Sequence, residues 1–148
     1  MAILVCMSSL VLVGMFGWAG RRPSGLGVQE GRLRSCPDSP NCVSSQATDA
    51  LHGISSIAFE GDPDLAMARI QRVLEATPRM KIVKSLEGYI HAEATSRLLR
   101  FVDDVEVLID SQAKVLHMRS ASRVGYSDMG VNRKRLEQLR TAFDAQQR

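Results

Sequence analysis

The sequence predicts an α+β domain: an antiparallel sheet of about five strands with two helices packed on one face, preceded by an N-terminal membrane helix. Three observations carry this expectation. Apolar and polar residues alternate repeatedly between Met80 and Arg123, with turn residues between the runs. Two stretches of helical periodicity flank that region. The first charged side chains are Arg21 and Arg22, so residues 1–20 form an uncharged, mostly apolar run.

Ile54–Phe59 reads as a short first strand. Asp62 is placed to cap a helix with Pro63 at its first position, and Ala66, Ile70, Val73 and Leu74 form its apolar stripe. The helix runs to Ala76, where Thr77-Pro78 stops it. Met80–Ser85 is the second strand and Glu87-Gly88 a turn. In Tyr89–Arg97, Ile90, Ala92 and Ala94 face one side and His91, Glu93, Thr95 and Arg97 the other. Val102–Ile109 turns Val105, Val107 and Ile109 inward and Asp104 and Glu106 outward. Asp110-Ser111-Gln112 is a turn. Lys114–Arg123 turns Leu116, Met118, Ser120 and Ser122 inward and His117, Arg119 and Arg123 outward. A last helix from Asp128 or Met129 to Phe143 buries Asn132, Leu136, Leu139 and Phe143. The order is β-α-β-β-β-β-α. Hairpin links favour an antiparallel sheet, with both helices on one face and the other face open and polar.

Three regions follow: a membrane anchor or signal segment at 1–20, a flexible linker at 21–35, and one α+β domain at 36–148. The length of residues 1–20 is borderline for crossing a bilayer, which needs about 20 mostly apolar residues. A soluble core helix is disfavoured because the run is apolar on all sides. Gly17-Trp18-Ala19 offers a weak cleavage match, and the segment lacks a basic n-region, so an uncleaved anchor is favoured over a cleaved signal. Arg21 and Arg22 would hold the following chain in the cytoplasm. The linker is rich in Gly and Arg and reads as a tether.

Cys36 and Cys42 bracket a turn-rich segment with Pro37, Pro40 and Asn41. A tight loop there brings them within disulfide range, and in an oxidising compartment they would pair. Free thiols and a metal or redox role are the alternatives; neither the four-ligand zinc pattern nor a Cys-x-x-Cys spacing is present.

A net charge of +3 and a pI near 9.0 give only a weak preference for anionic partners. Basic residues are interspersed with acidic ones rather than set in a stripe, which argues against nucleic acid. No Gly-x-Gly-x-x-Gly or Walker pattern occurs, so no nucleotide cofactor is expected. The turn from Arg119 to Arg135 joins a strand to a helix through Gly125 and Gly130, with Ser127 or Asp128 as the cap. Free N–H groups at a helix start suit an anion, and Arg123 and Arg133 would supply forked donors; an Asp at the cap opposes this. Two catalytic groupings are conceivable: Ser44 or Ser45 with His52 and an Asp, and His91 and His117 with Glu93 as a metal or acid–base set. No nucleophile-elbow motif supports the first.

Three segments in order, Cys36–Ser45, Tyr89–Glu106 and Arg119–Arg133, resemble the bacterial and plastid family of domain of unknown function 1499, from about residue 31 onward. The resemblance carries over no activity. It implies a shared site among its recurrent residues, and membrane association or export. Arg97 and Arg100 beside Asp103 and Asp104 would form a buried ion network fixing their hairpin.

The function expected is a non-catalytic envelope module that binds a partner protein or a small anionic ligand. The candidate residues are His91, Glu93, Arg97, Arg119, Arg123, Ser127, Asn132 and Arg133. The alternative is a hydrolase or metal-dependent enzyme working on the polar sheet face. Residues 1–20 would anchor the chain in the inner membrane with the domain in the periplasm; the cytoplasmic side and cleaved export are the alternatives.

Overall fold

Four consecutive strands, β5 (Met80–Leu86), β6 (Tyr89–Thr95), β7 (Val102–Asp110) and β8 (Val115–Ser122), form an antiparallel meander. The computed structural model describes residues 21–146. The expected membrane segment, residues 1–20, lies outside them. Among the described residues no helix is long and apolar enough to cross a membrane.

Two short strands extend the sheet along the free edge of β8. β3 (Cys42–Ser44) pairs with Arg119–Ala121, and β4 (Ile57–Ala58) with Val115–Leu116, both antiparallel. The main sheet therefore has six strands in place of about five. β3 falls within the segment read as turns. Its prolines stop short of Asn41, which leaves Cys42, Val43 and Ser44 free to pair. The strand expected at 54–59 shrinks to β4, although Phe59 is still buried.

The first helix, α1 (Pro63–Ala76), starts as expected: the Asp62 carboxylate accepts the Asp64 N–H at 2.8 Å and Pro63 occupies the first turn. Its end is closed by the Thr77 hydroxyl, which donates to the Val73 carbonyl at 2.7 Å. The second, α2 (Val131–Ala145), begins after Gly130, whose φ of +78° is a left-handed conformation that glycine tolerates.

Both helices pack on one face of the sheet. Ile70 and Leu74 of α1 meet Leu136, Leu139 and Phe143 of α2 over Ile90, Val105, Val107, Leu116 and Met118, all nearly or fully inaccessible to solvent. Burying a large aliphatic or aromatic side chain contributes roughly 1.5–3 kcal/mol, so this layer is the main source of stability. The fold is α+β, and its helix face is the one the periodicity specifies.

The opposite face differs from expectation. It is polar but not open: Tyr89, His91, Asp104, Glu106 and Arg119 are all buried. The cover is the segment read as a flexible linker. Residues 21–35 lie across the sheet, with β1 (Val28–Gln29) and β2 (Arg32–Leu33) forming a small ribbon. β2 rests against β7 and β8, and Leu33 is buried. A disulfide joins Cys36 at the end of this arm to Cys42 on β3, with the Cα atoms 5.6 Å apart.

Candidate functional site

Strand register brings the outward side chains together. Glu93, Asp104 and Ala121 lie side by side across β6, β7 and β8; the next outward row is His91, Glu106 and Arg119. In the second row the carboxylate of Glu106 stands between two basic side chains, whereas in the first Glu93 and Asp104 are neighbouring acids that share Arg123 as their counter-charge.

Glu106 sits at the centre with no solvent exposure. Its Oε1 accepts the Tyr89 hydroxyl at 2.8 Å and the backbone N–H of Gly27, from the arm, also at 2.8 Å. Its Oε2 accepts Arg119 Nη1 at 3.1 Å. Gly27 has φ +117°, a conformation that other residues rarely adopt, so the glycine lets the arm aim this N–H. Burial first, then the hydrogen bond to Glu106, push the Tyr89 hydroxyl well above its ordinary value and keep it a donor.

One row along, Asp104 receives a fork from Arg123: Nε to Oδ2 at 2.9 Å and Nη2 to Oδ1 at 2.7 Å. His91 Nε2 bonds the same Oδ1 at 2.8 Å. Arg123 also bonds Glu93, which in turn accepts Arg22 Nε at 2.6 Å. Burial alone would raise the Asp104 carboxyl, but the Arg123 and His91 hydrogen bonds outweigh it and hold it below its usual range. Glu93 is likewise lowered, with burial overcome by Arg22 and Arg123.

Beneath the arm lies a cavity of about 270 Å³, close to the lower end for small-molecule sites. Arg34 and Cys36 from the arm line it, together with Asp104, Arg119, Ser122 and Arg123 from the sheet. The Arg119 side chain is 5% exposed, and its Nε–H has no acceptor among the described residues. Burial lowers the Arg119 guanidinium from its ordinary value; Glu106 opposes this, and the positive charge of Arg34 adds to it. Arg34 donates to the Ser24 carbonyl at 2.9 Å and makes no ion pair among the described residues.

The sequence-based candidates therefore divide. His91, Glu93, Arg119 and Arg123 converge under the arm. Arg97 does not: it is exposed in the β6–β7 turn, as is Arg100. The ion network expected between those two arginines and Asp103 and Asp104 is not formed. Asp103 pairs instead with Arg135 at 2.6 Å, and Asp104 with Arg123 and His91, because the two aspartates point to opposite faces of β7.

The helix start, read from the sequence as a candidate anion site, already holds a carboxylate of the chain itself. Asp128 accepts the N–H of Gly130 at 3.1 Å and of Asn132 at 2.7 Å, so the chain's own carboxylate occupies the first turn. Ser127 is exposed and accepts the Met129 N–H at 3.3 Å. Asn132 is fully buried on the helix face, donating to the Asn41 carbonyl and the Ser122 hydroxyl and accepting from Ser120. Arg133 spends its fork on the carbonyls of Gly53 and Leu51, at 2.7 and 3.0 Å.

The catalytic groupings do not assemble either. His52 bonds Asp49 at 2.9 Å and lies near the Ser39 carbonyl, whereas the Ser45 hydroxyl lies 3.2 Å from His117 Nδ1. His117 and His91 stand on strands separated by β7, about 10 Å apart by strand spacing. Among the described residues no group of three or more His, Cys, Asp and Glu could hold a metal ion.

Arg22, Gly27 and Arg34 belong to the site but were assigned to a tether. Their signal is the three glycines, Gly25, Gly27 and Gly31, set between arginines, which serve an arm folding back on a charged face as well as a loose linker. Asp104 and Glu106 lie on the face the sequence predicts but are buried rather than solvated, and Tyr89, to which the sequence reading gives no face, joins them there. No curated protein matches this sequence. Residues 32–143 match the family described as protein of unknown function (DUF1499), a span that takes in the disulfide, all six strands of the main sheet, α1 and most of α2. The chain belongs to the DUF1499 family.

Proposed function

We propose that the chain is a membrane-tethered, non-catalytic envelope module that holds a small anionic group, a carboxylate or a phosphate, in the cavity beneath its N-terminal arm. The observation that carries this reading is the Arg119 guanidinium, buried and fixed by Glu106, whose Nε–H has no acceptor among the described residues. A buried donor left without a partner costs roughly 1–3 kcal/mol, which a bound acceptor would recover. Arg34 adds a positive charge at the cavity that no carboxylate neutralises among the described residues. Asp104 lines the same space, but its charge is engaged by Arg123 and His91.

The tether rests on the apolar run at 1–20 and on Arg22 being held against the sheet by Glu93. The disulfide supports an oxidising compartment, hence the periplasmic side. The Arg21-Arg22 pair favours the opposite topology, but a disulfide does not persist in a reducing compartment.

The test is calorimetric titration of the full chain in nanodiscs with inorganic phosphate and with acetate. Arg34 is exposed, so Arg34→Gln should leave the melting temperature unchanged and weaken binding about tenfold or more through loss of a charge-assisted donor. Absence of saturable binding to both anions, or equal affinity in the variant, rejects the reading.

A further inference from the structure

One end of the sheet carries a concentration of exposed apolar side chains. Of the ten large hydrophobic residues exposed among the described residues, six leave this end: Leu98, Leu99 and Phe101 in the β6–β7 turn, Tyr126 and Met129 in the β8–α2 connection, and Val131 at the start of α2. Leu98 is 87% exposed and Met129 96%. The two connections start side by side, since Arg123 N–H bonds the Val102 carbonyl at 3.3 Å. Single exposed leucines are ordinary; a group of this kind at one pole marks an interaction surface.

Its charge is one-sided. Ser96–Phe101 reads SRLLRF, with Arg97 and Arg100 exposed around the leucines and no acid. The acid in the other connection, Asp128, is already accepting two backbone N–H groups. Arginine suits such a place because its stem can lie on apolar surface while its head meets phosphate.

The same pole is where the chain emerges from its apolar N-terminal run. Arg22 bonds Glu93, which lies two residues before β6 ends at Thr95, about 7 Å by strand rise. A hollow of about 450 Å³ there is lined by Arg21, Arg22 and Arg123. If residues 1–20 span the bilayer, Arg21 lies at its surface with no spacer, and this pole must face the headgroups. The opposite pole, with the Glu87-Gly88 turn, must point away.

We propose that this pole is a membrane-docking surface: Leu98, Leu99 and Met129 enter the acyl boundary of an anionic lipid bilayer, and Arg97, Arg100 and Arg21 bind headgroup phosphates. The proposal rests on the tether reading given above. Docking would fix the domain's orientation on the bilayer and place the arm and its cavity beside the lipid headgroups.

The test uses the full chain in nanodiscs of phosphatidylcholine and phosphatidylglycerol whose acyl chains are brominated near the headgroup. Trp18, the only tryptophan, reports on the tether in the natural sequence. In a Trp18→Phe background, Leu98→Trp reports on the docking pole and Leu86→Trp, at the end of β5 on the far pole and 54% exposed, on the other. Neither position contributes to the core, so both variants should fold. The expected result is strong quenching of wild-type Trp18 and of Leu98→Trp, with Leu86→Trp unquenched. Quenching of Trp18 with Leu98→Trp no more quenched than Leu86→Trp overturns the docking surface and leaves the tether standing. An unquenched Trp18 overturns the tether, and with it a surface argued from the tether's point of exit.

Discussion

The backbone N–H of Gly27 donates to Glu106, a carboxylate with no solvent exposure, across 79 positions of sequence. This one bond joins the N-terminal arm to the centre of the sheet. It turns what would be an exposed charged face into an interior, and it explains why that face can carry a paired arginine with a spare donor.

Glu106→Gln should be among the more destabilising substitutions on this face. It leaves the Arg119 guanidinium buried without its counter-charge, a loss of roughly 3–5 kcal/mol for a broken buried pair. Urea denaturation measures it. The double variant Glu106→Leu with Arg119→Met should recover part of that loss, because removing both charges removes the desolvation cost as well. A double variant less stable than the single one would show that the cost is not that of an unpaired charge.

The disulfide closes a loop with a sequence separation of only six, so its chain-entropy contribution is modest, about 2 kcal/mol. Its position makes it more consequential locally than globally. Cys36 ends the arm and Cys42 is on β3, so Cys36→Ser with Cys42→Ser should loosen the arm before the helices and strands. Amide exchange at Gly27 should accelerate much more than at Val105 or Val107. Uniform acceleration across the sheet would mean that arm and core open together.

Acid should destabilise the fold through this same face. Asp104 and Glu93 are held below their ordinary values by Arg123, His91 and Arg22 despite burial. A carboxylate lowered in the folded state lends stability that is present above its unfolded value, about 4, and lost as pH falls through the folded value. Stability measured by urea melts should decline steadily below about pH 4. Glu93→Gln should flatten that decline while Arg97→Gln, at an exposed turn position, leaves it unchanged.

The helix face was legible because its apolar side chains follow periods of 2 and 3.6, which register and packing then enforce. Ile90, Ala92, Val105, Val107, Leu136 and Phe143 all fall where periodicity puts them. The second face was assigned to the correct residues and the wrong environment. Alternation specifies which way Glu106 points, not whether Gly27 comes to meet it from the arm. Nothing local in a stretch of Gly and Arg distinguishes a loose tether from an arm whose N–H groups and guanidinium groups have distant acceptors. The helix start misled for a different reason. The sequence offers Ser127 or Asp128 as the cap, whereas the cap position is Gly130; from two residues earlier the Asp128 carboxylate still accepts the Gly130 and Asn132 N–H groups.

Asn132 separates a structural role from a binding one. It is fully buried, on the helix face of β8, and joins α2 to β8 and to the segment before β3. Its amide donates to the Asn41 carbonyl at 3.0 Å and the Ser122 hydroxyl at 2.9 Å, and its carbonyl accepts from Ser120 at 2.6 Å and from Arg135. Arg135 continues to Asp103. Asn132→Ala should cost about 2 kcal/mol by leaving buried hydroxyls partly unpaired. Asn132→Asp should cost more, since it replaces the donor facing Asn41 with an oxygen and introduces a charge into a site with no exposure. Phosphate affinity, measured well below the midpoint of unfolding, should match the wild type in Asn132→Ala and be weakened in Arg34→Gln. If Asn132→Ala loses affinity while remaining folded, the anion is bound on the helix side of β8, and the cavity beneath the arm is not the site.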